Sequence, residues 1–373
     1  MERNQKSTRK QHITYLRILC ALLVCYAHSK ALLGQEIATR WFGISIPNIA
    51  VDAFFVLSGF LLWNKALTNN PIQFVVNRIA RILPGLVVSV LVTAFSLSLY
   101  VFLGNETKSP RYRDIFSWVY TNIDVLNPNR MFSSRFFFTN NIHTSSINGS
   151  LWTITFEFWS YLFLILFTSC TLIFTKFLSE TIANLIRIFL LSALSFFLIL
   201  GADFSETSSV NYFFHHLLVC LLLGCLFSAL SNQFHALFVL ISKPVVTFSI
   251  ICLLLPWFIL ATNNQEYNKK DIVLFSLIIS LIANLKFQKD IVWPLKNLDP
   301  SYGIYLYSFP INQALIAAGI TEWIICLFLT ASISIVAGVL SYKLVEEKFI
   351  GAFAYRNQST NSNMLPKKNQ FPQ

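Results

Sequence analysis

Apolar residues in this chain come in long continuous runs, separated by short polar stretches. Ten runs predict helices: 12–33, 50–63, 84–103, 151–174, 184–201, 211–231, 244–261, 271–285, 301–318 and 322–342. A helix that is apolar all round has no face meant for water, which is the pattern of a segment in lipid or in a large core. The second and eighth runs are short for a full crossing, so they are expected to be buried, tilted or broken. No internal repeat stands out.

Composition narrows the choice. The 373 residues are 55% hydrophobic and 12% charged, with a mean hydropathy of +0.60. Soluble domains carry about 25% charged residues. One aqueous core could not hide this much apolar surface. The expected fold is all-α: a polytopic membrane protein of about ten transmembrane helices. The first run carries charge and lacks a small-residue cleavage site, so it reads as a retained helix and not a removable signal peptide. Cys20, Cys25, Cys170, Cys220, Cys225, Cys252 and Cys326 all fall in apolar runs without metal-ligand spacing. They read as small packing residues, and no metal is expected.

The net charge of +11 has a simple source in cationic loops, so no nucleic acid partner is expected. Lys and Arg gather in 1–11, 64–83, 286–299 and after 342, which places both chain ends inside, N-in and C-in. The expected organisation is a cytoplasmic segment 1–11, a transmembrane domain 12–350 and a polar cytoplasmic tail 351–373. Within the domain, 104–150 forms a long extracytoplasmic loop, long enough for a lid or a substrate contact.

The charged residues inside apolar runs carry the chemistry, because an ionisable group in a membrane span is costly. Arg17 and His28 lie eleven positions apart in the first run, roughly 16 Å along a helix. Asp52 opens the second run, and Glu157 lies about two turns into the fourth. Counting along each span puts His28, Asp52 and Glu157 at comparable depth in the outer half. A carboxylate beside an imidazole fixes its tautomer and raises its basicity, as a base acting on a hydroxyl requires. Each residue also has a structural reading: His28 as packing, Asp52 as a helix cap, Glu157 as an interhelical bond.

Arg78 and Arg81 lie three apart before Pro84, in what reads as a cytoplasmic loop. On a helical turn they would share a face and, with Arg17, form a phosphate site. Snorkelling positive-inside charge is the alternative. A coenzyme A donor fits this layout, with phosphates on the arginines and the thioester reaching His28. His215 and His216 read as packing or interfacial residues. Trp41, Trp118, Tyr120 and Trp152 suit interfacial anchoring or sugar stacking.

At these residues the chain resembles the acyltransferase-3 family of multi-span membrane enzymes that acylate surface polysaccharides. The resemblance rests on six pieces in the family's order over about 12–350. They are Arg17 with His28, Asp52 to Phe60 (Asp-Ala-Phe-Phe-Val-Leu-Ser-Gly-Phe), Arg78 to Pro84, Gly149 to Thr153 with Glu157, Ser301 to Pro310, and Tyr342 to Phe349. It implies acetyl-CoA as acyl donor, a ten-helix domain and His28 as the catalytic residue. It gives donor handling to Arg17, Arg78 and Arg81. Trp152, Tyr302 and Ser308, within these motifs, are expected at the substrate. Many relatives have His where this chain has Ser308, so no second imidazole is expected there. Some have two adjacent acids in the fourth-span motif, whereas Phe156 precedes Glu157 here.

The expected function is O-acetylation of a sugar hydroxyl on a cell-surface polysaccharide, such as lipopolysaccharide or exopolysaccharide, or on its lipid-linked precursor. The expected location is a bacterial inner membrane, among membrane lipid, with His28 oriented by Asp52. The rival is a transporter or flippase using the same charges as a substrate or proton path. A structural subunit of a glycan-assembly complex is a third reading. The acceptor sugar, acyl length and oligomeric state are not legible.

Overall fold

The computed structural model describes residues 2–35, 40–41, 44–102, 112–127, 137–138, 140–142, 146–201, 210–262, 269–285 and 298–353. Expectations for residues 354–373 of the tail lie outside the described residues. The helices are α1 (Glu2–Ala31), α2 (Ile46–Thr68), α3 (Pro71–Phe102), α4 (Tyr112–Ile123), α5 (Trp152–Phe174), α6 (Glu180–Gly201), α7 (Val210–Gln233), α8 (His235–Ile241), α9 (Pro244–Thr262), α10 (Lys269–Asn284), α11 (Ser301–Ala317) and α12 (Trp323–Ser341). A π-helical turn, Tyr342–Glu346, follows α12. Two-residue strands β1 (Arg40–Trp41) and β2 (Ile44–Ser45) pair antiparallel ahead of α2.

Among the described residues, each of the ten apolar runs falls mainly within a helix. Seven stretches among the described residues are long and apolar enough to cross a membrane, and α8 with α9 adds an eighth if that pair, bent by 82°, is one span. Two expectations need correction. The second run is not short: α2 has 23 residues. Nor are Arg78 and Arg81 in a loop. α3 begins at Pro71 and carries Pro84 inside it. Proline in a lone helix would cost its missing hydrogen bond, but neighbouring helices satisfy freed backbone groups in such bundles.

The surface is apolar. Phe95, Phe174, Phe189, Phe197, Phe248 and Phe328 all point outward. The interior mixes hydrophobic side chains with buried Ser, Thr and Asn, and some of these, such as Ser29 with Asn312 and Thr153 with Tyr305, bond across helices where lipid offers no partner. α2 packs directly on α7. A Cβ on Gly59 would meet the Leu221 carbonyl oxygen at 1.9 Å, and one on Gly224 would meet that of Val56 at 2.1 Å. Only glycine permits this backbone approach, and it explains the glycine of the Ser58-Gly59-Phe60 motif.

α1 and α11 run parallel. Arg17 bonds Asp299 just ahead of α11, the His28 ring meets the Phe309 ring, and Ser29 Oγ donates to Asn312 Oδ1 at 3.1 Å. Asn312 Oδ1 also accepts from Thr330 of α12. A polar seam thus joins α1, α11 and α12.

Candidate active site

A partly open cavity of about 40 Å³ lies between α1, α2, α5 and α11. That holds a few water molecules. Arg17, Phe54, Ser58, Glu157, Tyr302 and Tyr305 contribute to its lining. Glu157 accepts a hydrogen bond from Tyr161 Oη, and the same hydroxyl reaches Ser58 Oγ at 3.4 Å. Tyr305 Oη donates to the Ser150 carbonyl at 2.7 Å and lies 2.7 Å from Thr153 Oγ1. These contacts tie the Gly149–Leu151 turn and the first turn of α5 to α11.

An ion-pair chain borders the cavity. Arg17 Nη1 and Arg81 Nη2 both donate to Asp299 Oδ2 at 2.8 Å. Arg81 Nη1 donates to Glu346 Oε2 at 2.8 Å, and the Glu346 side chain is fully buried. Burial alone would raise the Asp299 carboxyl, but the Arg17 and Arg81 guanidiniums and the Ser301 hydrogen bonds hold it below the usual carboxylate range. Arg78 differs. It makes no hydrogen bond or ion pair with the described residues, its Nε is sealed without a partner, and its guanidinium lies over the Phe74 and Tyr161 rings.

The three predicted arginines therefore surround one region but do not act alike. Arg17 and Arg81 form salt bridges with carboxylates, whereas Arg78 forms none among the described residues. Sequence reading missed Asp299, Glu346 and Tyr161. Glu346 lay in a quoted motif, yet nothing in sequence pairs it with Arg81.

His28 lies eleven residues further along α1, in its last turn. Its ring meets Phe309 edge-on at 4.8 Å between centroids. Its Nδ1 is buried without a partner, while part of the residue stays open. Phe309 is held by the loop: a Cβ on Gly149 would meet its Cε2 at 2.7 Å. The loop is pinned to α11 by Asn148 Nδ2 to the Leu306 carbonyl, 2.9 Å, Asn141 Nδ2 to Gln313 Oε1, 2.7 Å, and Gln313 Nε2 to the Ser146 carbonyl, 2.7 Å.

The expected pairing of His28 with Asp52 does not form. Asp52 Oδ1 lies 2.7 Å from His216 Nε2. Val51, Phe54, Phe55 and Ser58 face the cavity, and one further residue turns Asp52 about 100° round the helix toward α7. His216 is thus a partner of Asp52, not mere packing. Cys220 completes a buried cluster whose potential ligand atoms lie within 4.8 Å of one another.

Glu157 shares the Arg17 cavity and is not beside His28. Ser308 is fully buried in α11 and donates weakly to the Tyr305 carbonyl at 3.4 Å, so it does not line the cavity. Trp152 packs edge-on against Phe156, whereas Tyr302 lines the cavity and donates to the Ile82 carbonyl at 2.9 Å.

The family model described as "Acyltransferase domain", that of the acyltransferase-3 family, matches residues 11–342. The chain belongs to this family. The matched stretch begins within α1 and ends at the first residue of the π-helical turn, so it takes in Arg17 and His28, the cavity and all of α11 and α12. The chain is also similar to a protein of Shigella phage Sf6 named "O-acetyl transferase". The two are 25% identical over 346 residues, covering 90% of this chain and 94% of that one. No solved structure matches it significantly. Its membrane-length helices and its membership make it an integral membrane acyltransferase.

Proposed function

We propose that this acyltransferase moves an acetyl group from cytoplasmic acetyl-CoA to a sugar hydroxyl of a cell-surface polysaccharide or its lipid-linked precursor. It would do so from a bacterial cytoplasmic membrane, with both chain ends inside. The observation that carries the reading is the parallel α1/α11 pair. One end holds the Arg17–Asp299–Arg81 cluster beside a cavity, and the other holds His28 against Phe309. The roughly 16 Å between them suits a donor whose phosphates and thioester are joined by a long thin arm. The name of the phage relative supports the acetyl group.

The donor phosphates meet Arg78, which makes no salt bridge among the described residues, together with the open edge of the Arg17 and Arg81 pair. At the far end the acceptor hydroxyl attacks the thioester carbonyl while its proton passes to the His28 imidazole. The C–S bond breaks and the thiolate of CoA leaves, taking that proton. In the two-step variant His28 carries the acetyl group first. Asp52 has no part in either route, because its carboxylate is engaged with His216.

The test compares wild type with His28→Ala at matched membrane abundance. It reads O-acetyl signals of the host's surface glycan by NMR and CoA release by the purified protein. Loss of one O-acetyl signal together with loss of CoA release supports the reading. Normal transfer in His28→Ala overturns the mechanism. Substrate movement without any CoA release in wild type overturns the function and favours a transporter.

A further inference from the structure

Two guanidiniums that each approach the same carboxylate oxygen at 2.8 Å repel each other, so the shared anion is what makes their approach favourable. They belong to different helices, α1 and α3. The other oxygen of Asp299 is also engaged. Ser301 Oγ donates to Oδ1 at 2.5 Å and the Ser301 backbone N–H does so at 3.4 Å. With Oδ1 tied to the start of α11, Oδ2 has one direction in which to point. The Asp299 side chain keeps a fifth of its surface and that of Arg17 keeps 23%, so the cluster is screened on one side and open on the other. Arg17, Ser301 and Tyr302 line the same cavity.

We infer that Asp299 is a positioning residue for the acyl donor, holding Arg17 and Arg81 at one preset spacing so that a donor phosphate meets a ready-made cation pair. Preorganisation of this kind lowers the cost of binding and leaves the chemical step alone. The inference rests on the reading of the protein as an acyl-CoA-dependent transferase.

The test uses the purified full chain in nanodiscs, with acetyl-CoA and acetyl-dephospho-CoA as donors and CoA release as readout. Asp299→Asn keeps the size and removes the charge. Its donor KM should rise about tenfold or more with kcat within about threefold. The preference for acetyl-CoA over the dephospho donor should shrink, a change that general loosening would not give. Asp299→Glu should recover part of the KM. Unchanged KM, or a kcat loss at unchanged KM, overturns the inference. If Asp299→Asn is not monodisperse, Ser301→Ala decides by the same criterion, since it removes the 2.5 Å hydroxyl bond to Oδ1 and keeps the charge. If wild type releases no CoA from either donor, the transferase reading itself fails and this inference falls with it.

Discussion

Replacing Asp52 should weaken the contact between α2 and α7 and leave the chemistry intact. Its side chain and that of His216 keep only 2% and 7% of their surface and lie 2.7 Å apart. A hydrogen bond to a charged group contributes about 1.5–3 kcal/mol net. Losing one partner of a buried pair costs about 3–5 kcal/mol, because the other is left uncompensated. Asp52→Asn keeps the shape and one acceptor oxygen, so its loss should fall near 2 kcal/mol. His216→Leu leaves the carboxylate without the imidazole and should cost about 3–5 kcal/mol.

The double variant removes both the carboxylate charge and the imidazole, so its loss should be smaller than the sum by about 0.5–3 kcal/mol, the coupling of a contacting pair. The interface cannot relax to absorb these changes, since Gly59 and Gly224 hold the two backbones together. Equilibrium unfolding in mixed micelles gives the energies, and turnover per folded molecule gives the activity. A stable Asp52→Asn protein with no turnover would make Asp52 part of the catalyst and refute this reasoning. Strict additivity of the two substitutions would show that the pair carries no coupling.

Gly149→Ala should cut turnover about tenfold or more while the protein still folds, because its Cβ would press on Phe309 at 2.7 Å and a small misplacement of reacting groups is expensive. Turnover per folded molecule, compared with melting temperature, separates the two effects. Arg81→Ala should destabilise by about 3–5 kcal/mol, since Glu346 stays buried without its cation. Arg78→Ala should cost only about 1 kcal/mol, the loss of its ring contacts, yet raise donor KM, and unfolding compared with kinetics checks both. Asp299 has a depressed carboxyl, so its stabilising effect is complete above the usual value of 3.8 and fades as pH falls through the lower folded value. Wild type should therefore exceed Asp299→Asn in melting temperature by a constant margin from neutral pH to about 4, and the margin should close below that.

The helices were legible because lipid-solvated helices write themselves as continuous apolar runs. What the runs could not give was the start of α3. Pro84 reads as a first-turn proline, yet the helix extends thirteen residues before it, from Pro71. Short α4 and α8 left no run of their own. Partners were the larger loss. Arg81 meets Asp299 and Glu346 from 218 and 265 positions away, and no local pattern announces such a pair.

Depth and rotation differ in how far sequence reveals them. Position along a span follows from counting at about 1.5 Å per residue, and it placed Arg17 and His28 about three turns apart on one helix. Rotation about the axis depends on which neighbour packs where. Asp52 illustrates the difference: Val51 faces the cavity, while the next residue faces His216. The pair on α1 escapes this uncertainty, because eleven residues make three turns plus about 20°. Arg17 and His28 must therefore share a face whatever that face meets. It meets α11, where Asp299 and Phe309 stand ten residues apart and receive the two side chains in turn. The spacing of Arg17 and His28 is thus a constraint of helix geometry: an insertion of one residue would keep the depth and turn His28 about 100° away from Phe309.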